Sequence, residues 1–484
     1  MDGPVPDLAD RAHAAAERLL DADSLLVASH IDADGLTSAA IAATALERAE
    51  IPFAVVFSKQ LDEDEIKAIA AADQETVFFT DFGSGQLDVV ADYEHRGEFT
   101  PVIADHHQPA DAETDYHVNP LLEGIDGGKE LSGAGTTYLV ARALATDGGS
   151  GTDETDNRDL AALAAVGAVG DMQTVDGELV GANRAIVEEG VASGVLETVT
   201  DLAMYGTQTR PLPKLLEYAS DVRIPGITND ERGAIQFLEG IDVDLRHDGD
   251  WRTWADLSHD ERKTVTSALL KRAVRNGVPP DAVDRLVGTA YVLPNEEPGT
   301  VLRDASEFST LLNATARYDR EDVGLAVCRG NRDGAFAAAK RLLRQHRRNL
   351  SEGLSWVRET GVTVEDHIQW FHAEDRIRET IVGIVAGMAL GTSGIDRTRP
   401  IIGFAHKSDA PGETKVSARG TGRLLGKGLD LSTVMRDASQ SVGGDGGGHA
   451  IAAGATVPRG DEPEFVSTAD RLVAEQVGDG GASD

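Results

Sequence analysis

Four short apolar runs in the first 104 residues constrain the fold more than anything else in the chain. They are Ser24-Leu25-Leu26-Val27-Ala28, Phe53-Ala54-Val55-Val56-Phe57, Thr76-Val77-Phe78-Phe79-Thr80 and Pro101-Val102-Ile103-Ala104. Runs of this length bounded by polar residues read as buried strands. Helix-like stretches lie between them, one over 37–49 and an acidic one over 62–72. Strand and helix alternating in this way predict an α/β fold on a doubly wound, mostly parallel sheet. Such sheets bind ligands beyond the carboxyl ends of their strands. The residues that directly follow each run are therefore the ones to inspect for chemistry.

At 484 residues the chain exceeds one ordinary core, so two or three domains are expected. A Gly/Thr/Asp-rich loop is expected over 148–159 and an apolar helix over 160–167. Residues 184–350 read as mostly helical, with breaks at Pro211-Leu212-Pro213 and Pro279-Pro280. One long helix over 334–356 carries Lys340, Arg341, Arg344, Arg347 and Arg348. Strand-like runs return at His367-Ile368-Gln369-Trp370-Phe371 and Pro400-Ile401-Ile402-Gly403-Phe404, and a glycine-rich segment covers 443–454. The expected division is a sheet domain over 1–190, a helical middle region over 191–333 and a basic connecting helix over 334–358. A smaller α/β domain over 359–484 follows, ending in a short acidic tail.

Composition narrows the class. Hydrophobic residues make up 41%, enough for an ordinary interior. No apolar run reaches the roughly 18 residues of a membrane span. The acidic start, with Pro4 and Pro6, lacks the basic-then-apolar order of a signal peptide, and a cytoplasmic location is expected. The single cysteine, Cys328, follows Gly324-Leu325-Ala326-Val327 and reads as a small buried hydrophobe. The charge balance is 45 basic against 82 acidic residues, a net of −37. Nucleic-acid binders are usually basic. Here the acids are dispersed along the chain, the pattern of a salt-loving cytoplasm in which excess charge aids solubility. Local basic clusters then say more about the substrate than the total does.

Four polar clusters fall at strand or helix ends. In Ser29-His30-Ile31-Asp32-Ala33-Asp34-Gly35, alternate residues of extended backbone point the same way, so His30, Asp32 and Asp34 can converge. Gly35 permits the turn into the next helix. The same residues also suit a helix cap. Asp81 ends a very apolar strand in Thr80-Asp81-Phe82-Gly83, a place where caps and turn residues are common. Asp105-His106-His107 directly follows Val102-Ile103-Ala104, and a carboxylate with two imidazoles makes a good divalent-metal or phosphate site. Gly170-Asp171-Met172 ends the apolar helix. As a set, carboxylates and imidazoles without thiolates suit Mn²⁺ or Mg²⁺ better than structural zinc. Two ions about 3.5–4 Å apart are a standard arrangement for displacement at phosphorus.

The order His30-x-Asp32-x-Asp34-Gly35, Asp81, Asp105-His106-His107, Asp171 resembles the four motifs of DHH phosphoesterases. Lys415-Val416-Ser417-Ala418-Arg419 and Gly446-Gly447-Gly448-His449-Ala450 resemble the family's DHHA1 domain. The length, the acidity and the long basic helix are most similar to archaeal RecJ-like nucleases. His30 stands where bacterial RecJ proteins carry an aspartate, a change that keeps a metal donor. The resemblance implies hydrolysis of single-stranded DNA or RNA by water activated by two divalent cations, Mn²⁺ preferred or Mg²⁺. It implies His30, Asp32, Asp34, Asp81, His106 and Asp171 as metal ligands, with Asp81 shared. It implies Asp105 as the residue that orients His106, and His107 facing the scissile phosphate. It also raises replication-complex proteins as partners.

For the strand itself, Arg419 offers a planar fork to phosphate. Gly446, Gly447 and Gly448 offer backbone N–H groups, and His449, Ser417 and Lys415 adjoin them in the same motifs. On the long helix Arg341, Arg344 and Arg348 share a face that can track a phosphate backbone. Gly420-Thr421-Gly422 through Gly426-Lys427-Gly428 mimics a nucleotide loop but lacks its Gly-Lys-Ser/Thr ending. Trp251, Trp254, Trp356 and Trp370 are stacking candidates that equally suit a core. Three alternatives stay open: an oligoribonuclease or cyclic-dinucleotide phosphodiesterase of the same superfamily, a pyrophosphatase, and a non-catalytic replication scaffold on a DHH-like fold.

Overall fold

The four apolar runs form strands β1 (Leu25–His30), β2 (Phe53–Ser58), β3 (Thr76–Thr80) and β4 (Thr100–Ala104), with a short β5 (His117–Val118) beyond them. Every pairing is parallel, in the order β2-β1-β3-β4-β5. The computed structural model describes residues 3–147, 156–219, 222–392 and 394–478. The loop expected over 148–159 falls mostly outside the described residues, and so does the acidic tail beyond 478. The chain divides into two units, Met1–Lys340 and Arg341–Asp484.

In the first unit, helices cover both sheet faces, as a parallel sheet requires. Helices α1 (Ala9–Leu20) and α2 (Ala33–Arg48) precede α3 (Glu63–Ala70) and α4 (Leu87–His95), and α5 (Gly133–Asp147), α6 (Ala161–Gly170) and α7 (Gly181–Ala192) follow. On one face Leu26, Ala28, Val77, Phe79 and Ile103 pack with Ile66, Ile69 and Val90 of α3 and α4. On the other, α2 is buried along most of its length, pressed against β1, α5 and α6. Its small residues Ala39, Ala40, Ala42 and Ala43 permit that close approach.

A hairpin, β6 (Thr174–Val175) with β7 (Glu178–Leu179), precedes α7. The middle region then builds a core of its own around Leu212, Leu215, Ile224, Trp254, Val265 and Leu269. Its helices are α8 (Leu212–Glu217), α9 (Glu231–Glu239), α10 (His259–Arg275) and α11 (Pro280–Asp284). It also holds antiparallel ribbons the sequence does not announce. These are β8 (Glu197–Leu202) with β11 (Val287–Val292), and β9 (Arg246–His247) with β10 (Asp250–Trp251). Four residues of β8 are exposed, so its sequence carries no buried alternation to read. Helices α12 (Ala305–Ala316) and α13 (Glu321–Cys328) then return to pack on α2. Cys328 is buried there, and burial pushes its thiol up to about 12.

The long basic helix, α14 (Gly334–Thr360), is followed by β12 (Thr363–Val364), β13 (Gln369–His372), α15 (Val382–Ala389), β14 (Ile401–His406), β15 (Glu413–Arg419), α16 (Gly422–Leu425), α17 (Leu431–Ser441), β16 (Asp445–Gly448), β17 (Ala452–Pro458) and α18 (Glu462–Gly478). The six strands run β12-β13-β14-β15-β17-β16. Only β13 and β14 pair in parallel. One sheet face packs on α15 through Phe371, Ile401 and Ala405. The other packs on α17 and α18 through Ile402, Phe404, Val416 and Ala455. The glycine-rich segment forms β16, a turn and the start of β17, and the Gly420–Gly428 run contains the short α16. Among the described residues, no helix is long and apolar enough to cross a membrane.

Candidate functional site

Three adjacent strand ends and one helix end supply the site. After β1, the Asp32 carboxylate caps α2, Oδ1 accepting from Gly35 N–H at 2.9 Å, while Oδ2 lies 3.1 Å from His30 Nδ1. Cap and ligand candidate are thus one residue, because a carboxylate has two oxygens to place. A Cβ on Gly35 would lie 2.0 Å from His30 O, so only glycine fits there. Asp34 is buried, and its oxygens accept from Gly133 N–H (2.8 Å) and Ala134 N–H (3.0 Å) at the start of α5. That end of a helix carries partial positive charge. After β3, Asp81 takes left-handed backbone, φ 61°. Its N–H donates to Ala104 O at 3.0 Å, which turns its side chain inward. Asp171 caps the C-terminus of α6.

These side chains form overlapping donor groups: His30, Asp32 and Asp81 make one, Asp34, His106 and Asp171 a second, and Asp81 and His106 meet in a third with Asp105 and His107. Asp81 Oδ2 is 3.7 Å from His30 Nδ1, and its Oδ1 is 3.3 Å from His106 Nε2. His106 Nε2 also lies 3.9 Å from Asp34 Oδ2 and 3.7 Å from Asp171 Oδ2. The tautomer of His106 follows from its other nitrogen, Nδ1–H, which donates to Gly127 O at 2.7 Å. Nε2 is therefore the nitrogen that faces three carboxylates. Asp81 Oδ1, buried, has no hydrogen-bond donor. Lone pairs gathered this closely repel one another unless positive charge lies among them, and oxygen and imidazole donors of this kind fit Mn²⁺ or Mg²⁺.

The electrostatics agree. Burial, reinforced by Asp81 and Asp171, pushes the Asp34 carboxyl well above its ordinary range. Burial and the carboxylates Asp81 and Asp32 likewise raise Asp171, against His106. For His106, burial favours the neutral ring, but Asp81, Asp34 and Asp171 outweigh it and raise the imidazole well above its usual value. His30 behaves in the same way against burial, beside Asp32 and Asp81. Four carboxylates against two imidazoles leave the site short of positive charge.

Asp105 and His107 stand beside these groups. Asp105 is fully buried. Its Oδ1 accepts from His106 N–H (2.7 Å) and from the ring Nδ1–H of His107 (2.8 Å), and its Oδ2 from Ser84 N–H (2.9 Å). The carboxylate thus orients the ring of His107, whereas the ring of His106 is oriented by Gly127 O. The physical reason is local: a turn after β4 brings the Asp105 side chain back over its own following residues. His107 keeps 55% of its side chain exposed. Burial opposes its protonation, but Asp105 prevails and raises its pKa.

Several supporting residues lack a sequence signature. Ala33 N–H donates to Asn313 Oδ1 at 3.1 Å, across 280 positions. Gln173 donates to Asp171 Oδ2 at 2.9 Å. Asn119 donates to Ser84 Oγ and to His107 O, and Ser84 Oγ pairs with His117 Nε2 at 2.9 Å. Gly133 and Gly167 are pinned: a Cβ on them would lie 2.3 Å from Asp81 Oδ1 and 2.4 Å from Asp34 Oδ1. The only visible signal was the small-residue run Ser132-Gly133-Ala134-Gly135 opening a helix, which marks close backbone approach.

In the second unit, Lys415, Ser417 and Arg419 alternate along β15 and share the α15 face of the sheet. Ser417 is in register with Gly454, and Gly454 with Gly447. This row of small residues forms a shallow trough. A Cβ on Gly447 would meet nothing within 4 Å, whereas one on Gly446 would strike Met435 O and Ser439 Oγ below. Arg419 runs over α15, where a Cβ on Gly383 would lie 2.6 Å from its guanidinium. Gly448 precedes the turn to β17, and His449 is exposed in that turn, at the sheet end that carries Arg419. Arg344 and Arg348 are exposed on α14. Trp254 is core; Trp251, Trp356 and Trp370 are partly buried and pack on apolar clusters.

Three family descriptions match the chain: "DHH family, N-terminal domain" over residues 24–168, "DHH-CID domain" over 204–287 and "DHHA1 domain" over 367–475. An uncharacterized protein of Methanocaldococcus jannaschii is 28% identical over 459 residues, 93% of each chain. Among solved structures, RecJ in complex with Mn²⁺ from Thermus thermophilus superposes with TM-score 0.61 at 18% identity. That match covers 98% of this chain but only 56% of the Thermus protein. CDC45 from Entamoeba histolytica superposes with TM-score 0.65 at 10% identity, covering 96% and 98% of the two chains.

Proposed function

Because a chain built of DHH, DHH-CID and DHHA1 domains belongs to the DHH phosphoesterases, we propose that this one hydrolyses phosphodiester bonds of single-stranded nucleic acid, as a RecJ-like exonuclease of the cytoplasm. One observation carries the proposal: Asp81 offers one oxygen to each of two donor groups, Oδ2 toward His30 and Oδ1 toward His106. That is the arrangement of a shared ligand. His30 and Asp32 with Asp81 would hold one cation, and Asp34, His106 and Asp171 with Asp81 the other.

Divalent cations bound there supply positive charge to the phosphate and lower the pKa of water. The chain's own groups do the rest. Asp105 turns the His107 ring and favours its protonated form, in which the ring's Nε2–H can donate to a phosphate oxygen. The start of α5 stabilises the buried Asp34 carboxylate. In the second unit, Arg419 and Lys415 flank a trough of small residues in which Gly447 leaves room for a strand, with Ser417, Gly446, Gly448, His449, Arg344 and Arg348 as further contacts. Replication-complex proteins are the partners this reading suggests.

A second reading is a non-catalytic scaffold on the same fold. A scaffold has no need of Asp81 in left-handed backbone, nor of carboxylates crowded around the Nε2 of an imidazole. The test is digestion of end-labelled single-stranded DNA and RNA, with dinucleotides alongside, in Mn²⁺ and high KCl. Progressive shortening of the long strands supports the exonuclease, and label position gives its direction. Cleavage of dinucleotides alone moves the substrate to short oligonucleotides. A folded, Mn²⁺-binding protein that cuts neither is the scaffold.

A further inference from the structure

Resting on the two-cation reading above, we infer that Gln173 is a positioning residue that sets the affinity of one cation position, that of Asp34, His106 and Asp171, and leaves the other alone. Gln173 lies two residues beyond Asp171, after Met172 at φ 58°. Met172 is 83% exposed while Gln173 is 1% exposed, so the left-handed bend sends one side chain out and the next beneath the site. Gln173 Nε2 donates to Asp171 Oδ2 (2.9 Å) and to Gly127 O (2.8 Å). The same carbonyl accepts the Nδ1–H of His106 at 2.7 Å. One amide group therefore fixes the Asp171 carboxylate and steadies the acceptor that sets the His106 tautomer.

Its orientation is specified from behind. Gln173 Oε1 accepts from Asn183 Nδ2 at 2.7 Å, which decides which end of the amide faces Asp171. Asn183 is tied in turn, its N–H donating to Glu130 O at 2.7 Å and its Oδ1 accepting from Ser132 N–H at 3.3 Å. A buried amide fully used in this way is there for placement rather than for filling volume. The selectivity follows from reach. None of the hydrogen bonds of Gln173 goes to His30, Asp32 or Asp81; the other position meets the group that Gln173 holds only at Asp81 Oδ1, 3.3 Å from His106 Nε2. Residues that hold metal ligands from outside typically change metal affinity by about 10–100-fold.

The test is the Mn²⁺ binding isotherm, by calorimetry without substrate, for the unaltered protein, Gln173→Met and Asn183→Ala. Methionine keeps length and burial and removes both polar ends. The expected result is two binding events in the unaltered protein, one of them weaker by roughly 10–100-fold in Gln173→Met and the other unchanged. Asn183→Ala, which frees the Gln173 amide without removing it, shifts the same event by less. Hydrolysis by Gln173→Met then needs proportionately more Mn²⁺ and recovers its kcat at saturation, which a merely structural defect does not allow. Two unchanged events overturn the inference and leave the hydrolase reading standing. So do two equally weakened events with a lowered unfolding midpoint of the metal-free protein. An unaltered protein that binds no Mn²⁺ removes both.

Discussion

A carboxylate in left-handed backbone is an unusual way to end a strand, and at Asp81 it turns the side chain back into the site. Asp81→Ala is expected to abolish hydrolysis, a larger loss than the roughly 10–100-fold that removal of an outer partner costs. Normal turnover by that variant in the end-labelled assay would remove Asp81 from the site. Gly133→Ala tests the packing around it. The new Cβ would lie 2.3 Å from Asp81 Oδ1, and a ligand displaced by about 1 Å can cost about 10²-fold in rate. Expected are a folded protein by circular dichroism and a rate lower by that order. His117 gives a pH prediction. Burial lowers its imidazole from 6.5 to about 4, so the unfolded chain takes up a proton where the folded one does not. The folded pKa of a base is depressed, and stability falls as pH drops from near 6.5 towards 4. Between about pH 7 and pH 5 the loss is about 2 kcal/mol. Denaturant unfolding of His117→Asn should show less of that pH dependence than the unaltered protein, and an equal slope would refute the assignment.

At the scale of elements, the parallel sheet and the residues at its ends were legible because strand burial and strand ends are local properties. His30, Asp32, Asp34, Asp81 and Asp105-His106-His107 each follow an apolar run directly. The partners of those residues were not legible, since Gly133, Gln173, Gly127 and Asn313 reach them from distant positions and from ordinary-looking sequence. Nor was the β8–β11 ribbon, whose exposed Glu197-Thr198-Val199-Thr200 lacks a buried face. The glycine segment was recognised by its motif, but its strand was not legible from composition: β16 needs glycine where α17 presses against it. Gly446→Ala should destabilise the protein by about 1–3 kcal/mol through overpacking, measured by denaturant unfolding. Gly447→Ala should stay within about 0.5 kcal/mol while weakening oligonucleotide binding. Loss of stability at 447 but not at 446 contradicts the face assignment.

For the whole molecule, a net charge of −37 opposes the compact state by self-repulsion, which salt screens. The thermal unfolding midpoint should therefore rise with KCl. Affinity for a single strand should fall over the same range, with a slope near −0.7 per contacted phosphate in log–log form. A midpoint indifferent to KCl would mean that the acids are locally compensated. The hydrogen bond from Ala33 to Asn313 has a different consequence, one of order in time. The ribosome completes the DHH match at residue 168, but the Asp32–Asp34 loop waits for an acceptor 280 positions downstream of Ala33. A nascent chain holds its donors for a long interval without this tether, and the Asp32–Asp34 loop gains its last anchor only once residues beyond the DHH-CID match, through Asn313 of α12, have been made.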